Sequence, residues 1–120
     1  MHDLTLVIPA KNEKESLPKV LEELKNFNVR ILVILEEKDI ETINSIKDYD
    51  CKILKQSQLG YGSALIEGIN NTTTEFFCIF NADGSFNPSE LINMYNLAVN
   101  KKFSVLQSTA QSWLGQNPRN

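Results

Sequence analysis

Five short runs of aliphatic, β-branched and aromatic residues recur along the chain, and apolar residues at helical spacing follow each of the first four. The runs cover residues 4–8, 29–35, 51–55, 76–80 and 103–107. Apolar runs of this length are typical of strands buried on both faces. Their alternation with helical segments predicts a parallel sheet covered by helices on both sides, which is an α/β fold.

The predicted helices start at residues suited to capping. Ser16 can cap the first helix, Asp39 starts the second, and the third covers residues 63–70. In the fourth, Asn87 can cap while Pro88 takes the first helical position. These start signals support the alternating assignment.

A chain of 120 residues is long enough for one domain with its own core. We expect residues 1–107 to form that domain and the polar residues 108–120 to form a loop or tail. We also expect the chain to be the front part of a longer architecture. Exposed apolar surface, and association with a partner or a second copy, are then expected at Val105, Leu106, Trp113 and Leu114.

Charge and cysteine content exclude several classes of function. Lys and Arg total 12 against 15 Asp and Glu, so the net charge of −3 argues against nucleic-acid binding. Cys51 and Cys78 lack zinc-site spacing and are predicted to be buried, reduced thiols. No apolar run approaches the roughly 20 residues of a membrane-spanning helix, and a basic signal-peptide start is lacking. We expect a cytoplasmic protein, soluble or peripheral at a membrane.

Polar, acid-bearing loops follow three predicted strands, at residues 9–13, 36–39 and 81–85. Open α/β sheets bind ligands beyond the carboxyl ends of their strands, so these loops predict a site. The carboxylate of Asp83 suits Mg²⁺ or Mn²⁺ carrying a diphosphate. The alternative is that Asp83 and Gly84 only form a tight turn.

A glycine-rich segment, Gly60-Tyr61-Gly62, precedes the third predicted helix. Backbone N–H groups at such an entrance can bind an anion. The pattern matches neither the GxGxxG nor the Walker A motif. Taken alone, it fits better a helix end that packs closely on the sheet.

Three segments together resemble the family 2 glycosyltransferases, inverting enzymes with a GT-A fold that move a sugar from a nucleotide donor. The segments are residues 6–13, 60–68 and 81–88, and the resemblance extends over about residues 4–107. Within this family, the sequence most resembles the polyprenyl-phosphate sugar transferases, including the dolichol-phosphate mannosyltransferase type. The resemblance implies transfer of a sugar from a nucleotide-diphosphate sugar to a polyprenyl phosphate or a glycan.

The resemblance also implies a donor site. Asp83 matches the last acid of the family's Asp-x-Asp motif, which implies a bound Mg²⁺ or Mn²⁺ and the donor diphosphate. The first segment would face the base and ribose, and the glycine segment would pack beside the nucleotide. The residues placed against the nucleotide are Pro9, Ala10, Asn12, Glu13, Glu36, Gly60, Gly62, Asn81 and Ala82.

The sequence departs from the family pattern at three places. Asn81 replaces the first acid of Asp-x-Asp, which weakens the implied metal site. Glu36 lies where the family has an Asp-Asp-Gly-Ser run against the base. The acceptor half, with its catalytic carboxylate, has no counterpart before Asn120. An acceptor that is already ionised, such as polyprenyl phosphate, would need no general base.

Other interpretations stay open. Asn81 and the missing acceptor half favour an inactive nucleotide-binding or partner-binding module of the same fold, whereas Asp83 and the loop at residues 9–13 oppose it. A receiver-like domain would need an Asp after the third strand, where residues 53–55 are Ile-Leu-Lys. A sugar nucleotidyltransferase would need a glycine-rich, basic loop after the first strand. A shared site also predicts the strand order third, second, first, fourth.

Overall fold

The computed structural model describes residues 3–84, 87–101, 105–107 and 113–117. Four helices and six strands alternate along the chain until the last two strands, as the sequence pattern predicts for residues 4–101. In chain order they are β1 (Leu4–Pro9), α1 (Ser16–Leu24), β2 (Arg30–Leu35), α2 (Ile40–Ile46), β3 (Lys52–Lys55), α3 (Tyr61–Asn70), β4 (Phe76–Ile79), α4 (Pro88–Lys101), β5 (Val105–Gln107) and β6 (Trp113–Gln116).

The six strands form one sheet in the order β3-β2-β1-β4-β6-β5. β1 pairs in parallel with β2 on one side and with β4 on the other. Val7 in β1 is in register with Leu32 and with Ile79. The predicted order of the first four strands, with β1 beside β4, is therefore confirmed, and the loops after these two strands leave the same edge of the sheet.

Helices cover both faces of the sheet, which confirms the three-layer α/β/α architecture. On one face the large core cluster joins α1, α2 and α4 to the sheet through residues such as Leu17, Ile46 and Leu91. On the other face α3 packs through Ala64 against a smaller cluster that includes Val7. No helix in the described ranges has both the length and the apolar character needed to cross a membrane.

The predicted loop or tail over residues 108–120 is wrong where β6 lies. β6 runs antiparallel to both β4 and β5. Gly115 in this strand lies opposite Phe77, where a Cβ atom would come within 2.7 Å of the Phe77 ring. Because a glycine inside a short, mostly polar run resembles a turn, the sequence pattern conceals a strand whose glycine makes room for an aromatic ring.

The predicted apolar surface near the chain end is wrong for Leu114, which is buried as part of the large core cluster. β6 places this side chain against the sheet, so it needs no later element to cover it. The side chains of Val105, Leu106 and Trp113 lie outside the described residues. Asn117 follows β6 and is buried, with its side-chain amide donating to the carbonyl oxygen of Thr72 at 2.8 Å.

Helix starts agree with the sequence in part. The side-chain oxygen of Asn87 accepts hydrogen bonds from the backbone N–H and the hydroxyl of Ser89, as expected of a cap. α3 starts at Tyr61, two residues before the predicted start at residue 63. Ser16 is the first residue of α1 and does not cap it.

Candidate functional site

A cleft of about 470 Å³ opens beyond the carboxyl ends of β1, β2, β3 and β4. Loops from these four strands and the first turns of α3 form its walls, as expected for an open α/β sheet. The lining residues are Pro9, Ala10, Lys11, Glu13, Glu36, Gln56, Gly60, Tyr61, Ala64, Asn81, Ala82 and Asp83. Segments that are far apart in sequence thus meet at one site.

Most of the residues that the resemblance assigned to the donor site line this cleft. They are Pro9, Ala10, Glu13, Glu36, Gly60, Asn81, Ala82 and Asp83. Asn12 instead lines a neighbouring pocket of about 560 Å³, which shares Lys11 and Glu36 with the cleft. Gly62 is not among the lining residues, and nothing lies within 4 Å of the position its Cβ would take.

Ser16 joins the loop after β1 to the loop after β4. Its hydroxyl lies 2.7 Å from the carbonyl oxygen of Ala82 and also contacts the carboxylate of Glu13. The predicted capping role of Ser16 is wrong because this hydroxyl is committed to groups outside the helix. The contact fixes the backbone directly before Asp83.

The loop after β1 is also held by the start of α2. Asp39 accepts a hydrogen bond from the backbone N–H of Asn12 at 2.8 Å, and Thr42 accepts one from the N–H of Glu13 at 3.1 Å. The Thr42 hydroxyl in turn donates to Asp39 at 2.9 Å. Asn12 has a φ of 55°, a left-handed conformation that Asn tolerates better than most residues. Asn12 therefore shapes the turn that brings Glu13 to the cleft.

A buried carboxylate with two exposed lysines lies between the cleft and the neighbouring pocket. Glu36 is 8% exposed. Its Oε2 atom lies 3.6 Å from the Lys11 ammonium, and its Oε1 atom lies 3.5 Å from the Lys38 ammonium. Buried carboxylates are stable when paired in this way. The longer side chain that replaces the family's usual acid is thus directed to the cleft wall and held there.

The loop that leads into α3 is held by Glu67, a residue of that helix. Gly60 has a φ of 105°, a backbone conformation that residues other than glycine rarely adopt. The carboxylate of Glu67 accepts hydrogen bonds from the backbone N–H groups of Ser57 and Gln58. The Ser57 bond is the main cause of a lowered pKa for Glu67. Gln56 donates to the carbonyl oxygen of Gly60 at 3.2 Å.

The loop after β4 carries the remaining polar groups of the cleft. Asn81 accepts a hydrogen bond from the hydroxyl of Tyr61 at 3.2 Å. Partial burial raises the pKa of Tyr61, so its hydroxyl stays protonated at neutral pH. Asp83 lines the cleft, and Gly84 follows with a φ of 85°. Asp83 and Gly84 therefore form a turn and also place a carboxylate at the site.

The donor set fits a divalent cation only together with a ligand. Within the described ranges, no group of three or more His, Cys, Asp or Glu side chains could hold a metal ion by itself. Mg²⁺ commonly takes one or two carboxylates and completes its shell with phosphate oxygens and water. Asp83 supplies one such carboxylate in the cleft, so a diphosphate would have to provide further ligands.

Four residues that line the cleft were not predicted from the sequence, namely Lys11, Gln56, Tyr61 and Ala64. Gln56 lies directly after β3, a strand whose following loop carries no acid. Ser16 was assigned to a helix cap, although it links two site loops. The position of Gln56 at the carboxyl end of a parallel strand was the available signal. For Ser16 only the three-dimensional arrangement supplies one.

Fold and cleft define a three-layer α/β domain of the GT-A and nucleotidyltransferase type, with its polar site at the carboxyl edge of the sheet. The sequence model of glycosyl transferase family 2 matches residues 5–117. The chain belongs to this family.

A curated relative, an uncharacterized glycosyltransferase of Mycobacterium tuberculosis, is 32% identical over 88 residues. The alignment covers 73% of this chain and 40% of the relative. A glycosyltransferase of Mycobacterium bovis matches with the same identity and coverage. The chain therefore spans less than half the length of these relatives.

Solved structures with low sequence identity share the fold. A cytidylyltransferase from Leptospira borgpetersenii has a TM-score of 0.76 at 13% identity and covers 98% of this chain and 61% of its own. The glucosyl-3-phosphoglycerate synthase of Mycobacterium tuberculosis, in complex with phosphoglyceric acid, has a TM-score of 0.65 at 16% identity. That alignment covers 95% of this chain and 56% of the synthase. At these identities the comparison shows the fold alone.

Proposed function

We propose that this chain forms the donor-binding part of a glycosyltransferase, which transfers a sugar from a nucleotide-diphosphate sugar to an acceptor. The observation that carries the proposal is the single cleft in which the loops after β1, β2 and β4 meet the entrance of α3. Membership of glycosyl transferase family 2 supports the reaction class.

Different residues of the cleft suit different parts of the donor. In this proposal Pro9, Ala10, Glu13 and Glu36 face the base and ribose, where backbone and carboxylate oxygens accept hydrogen bonds from amino and hydroxyl groups. Asp83, in the loop after β4, would hold Mg²⁺ or Mn²⁺ against the diphosphate. When bound, the cation neutralises negative charge on the leaving diphosphate.

In this proposal Lys11 neutralises part of the negative charge of the same diphosphate. Its ammonium lies beside Glu36 at 3.6 Å, and 75% of its side chain is exposed. An exposed lysine can turn toward an entering phosphate, and Lys38, at 3.5 Å from the other oxygen of Glu36, would still pair with that carboxylate. Lys11 and the cation held by Asp83 would then both neutralise negative charge on the diphosphate.

The acceptor in this proposal is a polyprenyl phosphate, reached by a cytoplasmic protein that lies peripherally at a membrane. An ionised phosphate attacks without a general base, which matches a site for which we assign none. A hydroxyl acceptor, such as a glycan, would need a general base, and we assign that role to no residue of the cleft. The identity of the acceptor therefore decides whether these residues suffice.

A second candidate function is an inactive module that binds a nucleotide or a protein partner. Asn81 favours it, because an amide in place of the first acid removes a negative charge that would hold a metal. This candidate shares nucleotide binding with the first and differs from it in transferring no sugar.

Thermal unfolding with nucleoside diphosphates tests the donor site. A ligand at a hundredfold excess over its Kd stabilises the folded state by about 2.7 kcal/mol. We expect UDP, GDP, ADP or CDP with Mn²⁺ or Mg²⁺ to raise the Tm, and Asp83→Ala to remove most of the increase. If none of them changes the Tm, the donor-site proposal is wrong.

Incubation with radiolabelled nucleotide sugars and polyprenyl phosphate then separates the two candidates. The glycosyltransferase proposal expects labelled lipid at a low rate, because the match covers only 40% of the curated relative, and loss of the label with Asp83→Ala. Nucleotide binding without labelled lipid or glycan would favour the inactive module.

A further inference from the structure

The hydrogen bond between Tyr61 and Asn81 joins two walls of the cleft. Tyr61 is the first residue of α3, and Asn81 follows β4 by two residues. Both line the cleft, and the Tyr61 hydroxyl donates to the side-chain oxygen of Asn81 at 3.2 Å. Asn81 stands where the family motif has its first acid, so this bond acts on the one position at which the motif departs in charge.

The bond selects which end of the amide a ligand meets. An asparagine amide has an oxygen that accepts and an NH₂ group that donates. In the structure the Tyr61 hydroxyl donates to the amide oxygen, so the NH₂ group is the end of Asn81 that remains to donate to a ligand. A tyrosine hydroxyl is protonated at neutral pH, and partial burial raises the pKa of Tyr61 further, so this hydroxyl can donate.

An NH₂ group in this place has a chemistry opposite to that of the acid it replaces. A carboxylate binds a diphosphate only through a cation, whereas an amide N–H donates directly to an anionic oxygen. We propose that Asn81 donates its NH₂ group to a phosphate oxygen of the donor diphosphate, with Tyr61 as the residue that positions it. The inference rests on the proposed function and explains how a site with one Asp-x-Asp carboxylate holds a diphosphate.

The consequence is a reduced dependence on the divalent cation. Direct donation by Asn81 contributes most to diphosphate binding when no metal is present, because a bound cation takes over much of the interaction with the phosphate oxygens. Metal-free binding should therefore be measurable, and it should depend on the Tyr61 hydroxyl. A purely structural role for that hydroxyl would change metal-free and metal-bound affinity alike.

Calorimetric titration of UDP, GDP, ADP and CDP, each with Mg²⁺ and with a chelator, tests this inference. For the nucleotide that binds, Tyr61→Phe should weaken metal-free binding by about two- to tenfold, the value of one hydrogen bond, and weaken Mg²⁺-dependent binding less. Asn81→Asp should weaken metal-free binding by about tenfold or more, with Mg²⁺ restoring it. Tyr95→Phe removes a hydroxyl that contacts Asp3 outside the cleft and should change neither affinity.

The outcomes separate this inference from the proposed function. If the unchanged protein binds a nucleotide but Tyr61→Phe weakens both affinities equally or neither, the role of Tyr61 and Asn81 is wrong and the donor site stands. If Asn81→Asp leaves metal-free binding unchanged, the donation by Asn81 is likewise refuted. If the unchanged protein binds none of the four nucleotides under either condition, both proposals fall.

Discussion

Gly68 is the position at which the packing of α3 on the sheet is most sensitive to a single methyl group. A Cβ atom there would lie 2.6 Å from Val7 Cγ1 and 2.7 Å from Ile34 Cδ1, against about 3.5–4.0 Å for carbon atoms in contact. Val7 and Ile34 are both fully buried and belong to the smaller core cluster. To accept the methyl group, α3 must move away from the sheet by about 1 Å.

The stability change follows from two opposing effects. Overpacking a well-packed core costs about 1–3 kcal/mol, whereas alanine is favoured over glycine inside a helix by about 1 kcal/mol. We expect Gly68→Ala to lower the free energy of unfolding by up to about 2 kcal/mol. At a urea m-value of about 2 kcal/mol/M, the midpoint falls by up to about 1 M.

Gly62→Ala in the same helix is the matched control. Nothing lies within 4 Å of the Cβ position at Gly62, so only the helix preference acts, and stability should stay the same or rise by up to about 1 kcal/mol. Urea unfolding followed by circular dichroism measures both variants. A Gly68→Ala protein as stable as the Gly62→Ala protein would refute the assigned contact between α3 and the sheet.

Three further predictions concern single side chains. Ser16→Ala should weaken nucleoside diphosphate binding several-fold in calorimetry and lower stability by about 1 kcal/mol, because one hydrogen bond between two site loops is lost; unchanged affinity would contradict its positioning role. The pKa of Glu67 lies below 4.5 in the folded state, mainly because of the Ser57 N–H, so its stabilising contribution is present above pH 4.5 and lost as the pH falls through the lower folded pKa. Urea midpoints of Glu67→Gln and the unchanged protein should differ at neutral pH and converge in acid; a constant difference would refute the linkage. Burial raises the pKa of Cys78 to about 12, and Cys51 is only half-buried, so maleimide should label Cys51 first and Cys78 only on unfolding, as mass spectrometry of peptides can show.

The sheet order could be predicted because the local signals and the site requirement agree. Val7, Leu32 and Ile79 lie in apolar runs that only the interior of a sheet would bury. A site shared by the acid-bearing loops after the first and fourth strands required these strands to be neighbours. β1 and β4 are paired in the sheet. Periodicity and loop chemistry together are thus sufficient to predict the order of the first four strands.

The later strands and some site contacts could not be predicted for physical reasons. At Gly115 the ring of Phe77 across the sheet leaves no room for a Cβ atom, which no local pattern shows. Ser16 has the local features of a cap, but its hydroxyl finds the carbonyl oxygen of Ala82, which lies 66 positions away in sequence. The bond from Tyr61 to Asn81 likewise depends on where α3 meets the end of β4. Long-range partners of this kind appear only once the sheet is assembled.

Backbone amide chemical-shift mapping tests the donor site most directly. Titration of the ¹⁵N-labelled chain with a nucleoside diphosphate and Mg²⁺ reports which residues the ligand reaches. We predict shifts at Ala10, Gly60 and Ala82, with none at Arg30 and Lys52, which line a pocket of about 340 Å³ away from the cleft. No shifts with UDP, GDP, ADP or CDP, or shifts confined to Arg30 and Lys52, would contradict the assignment of the cleft as the donor site.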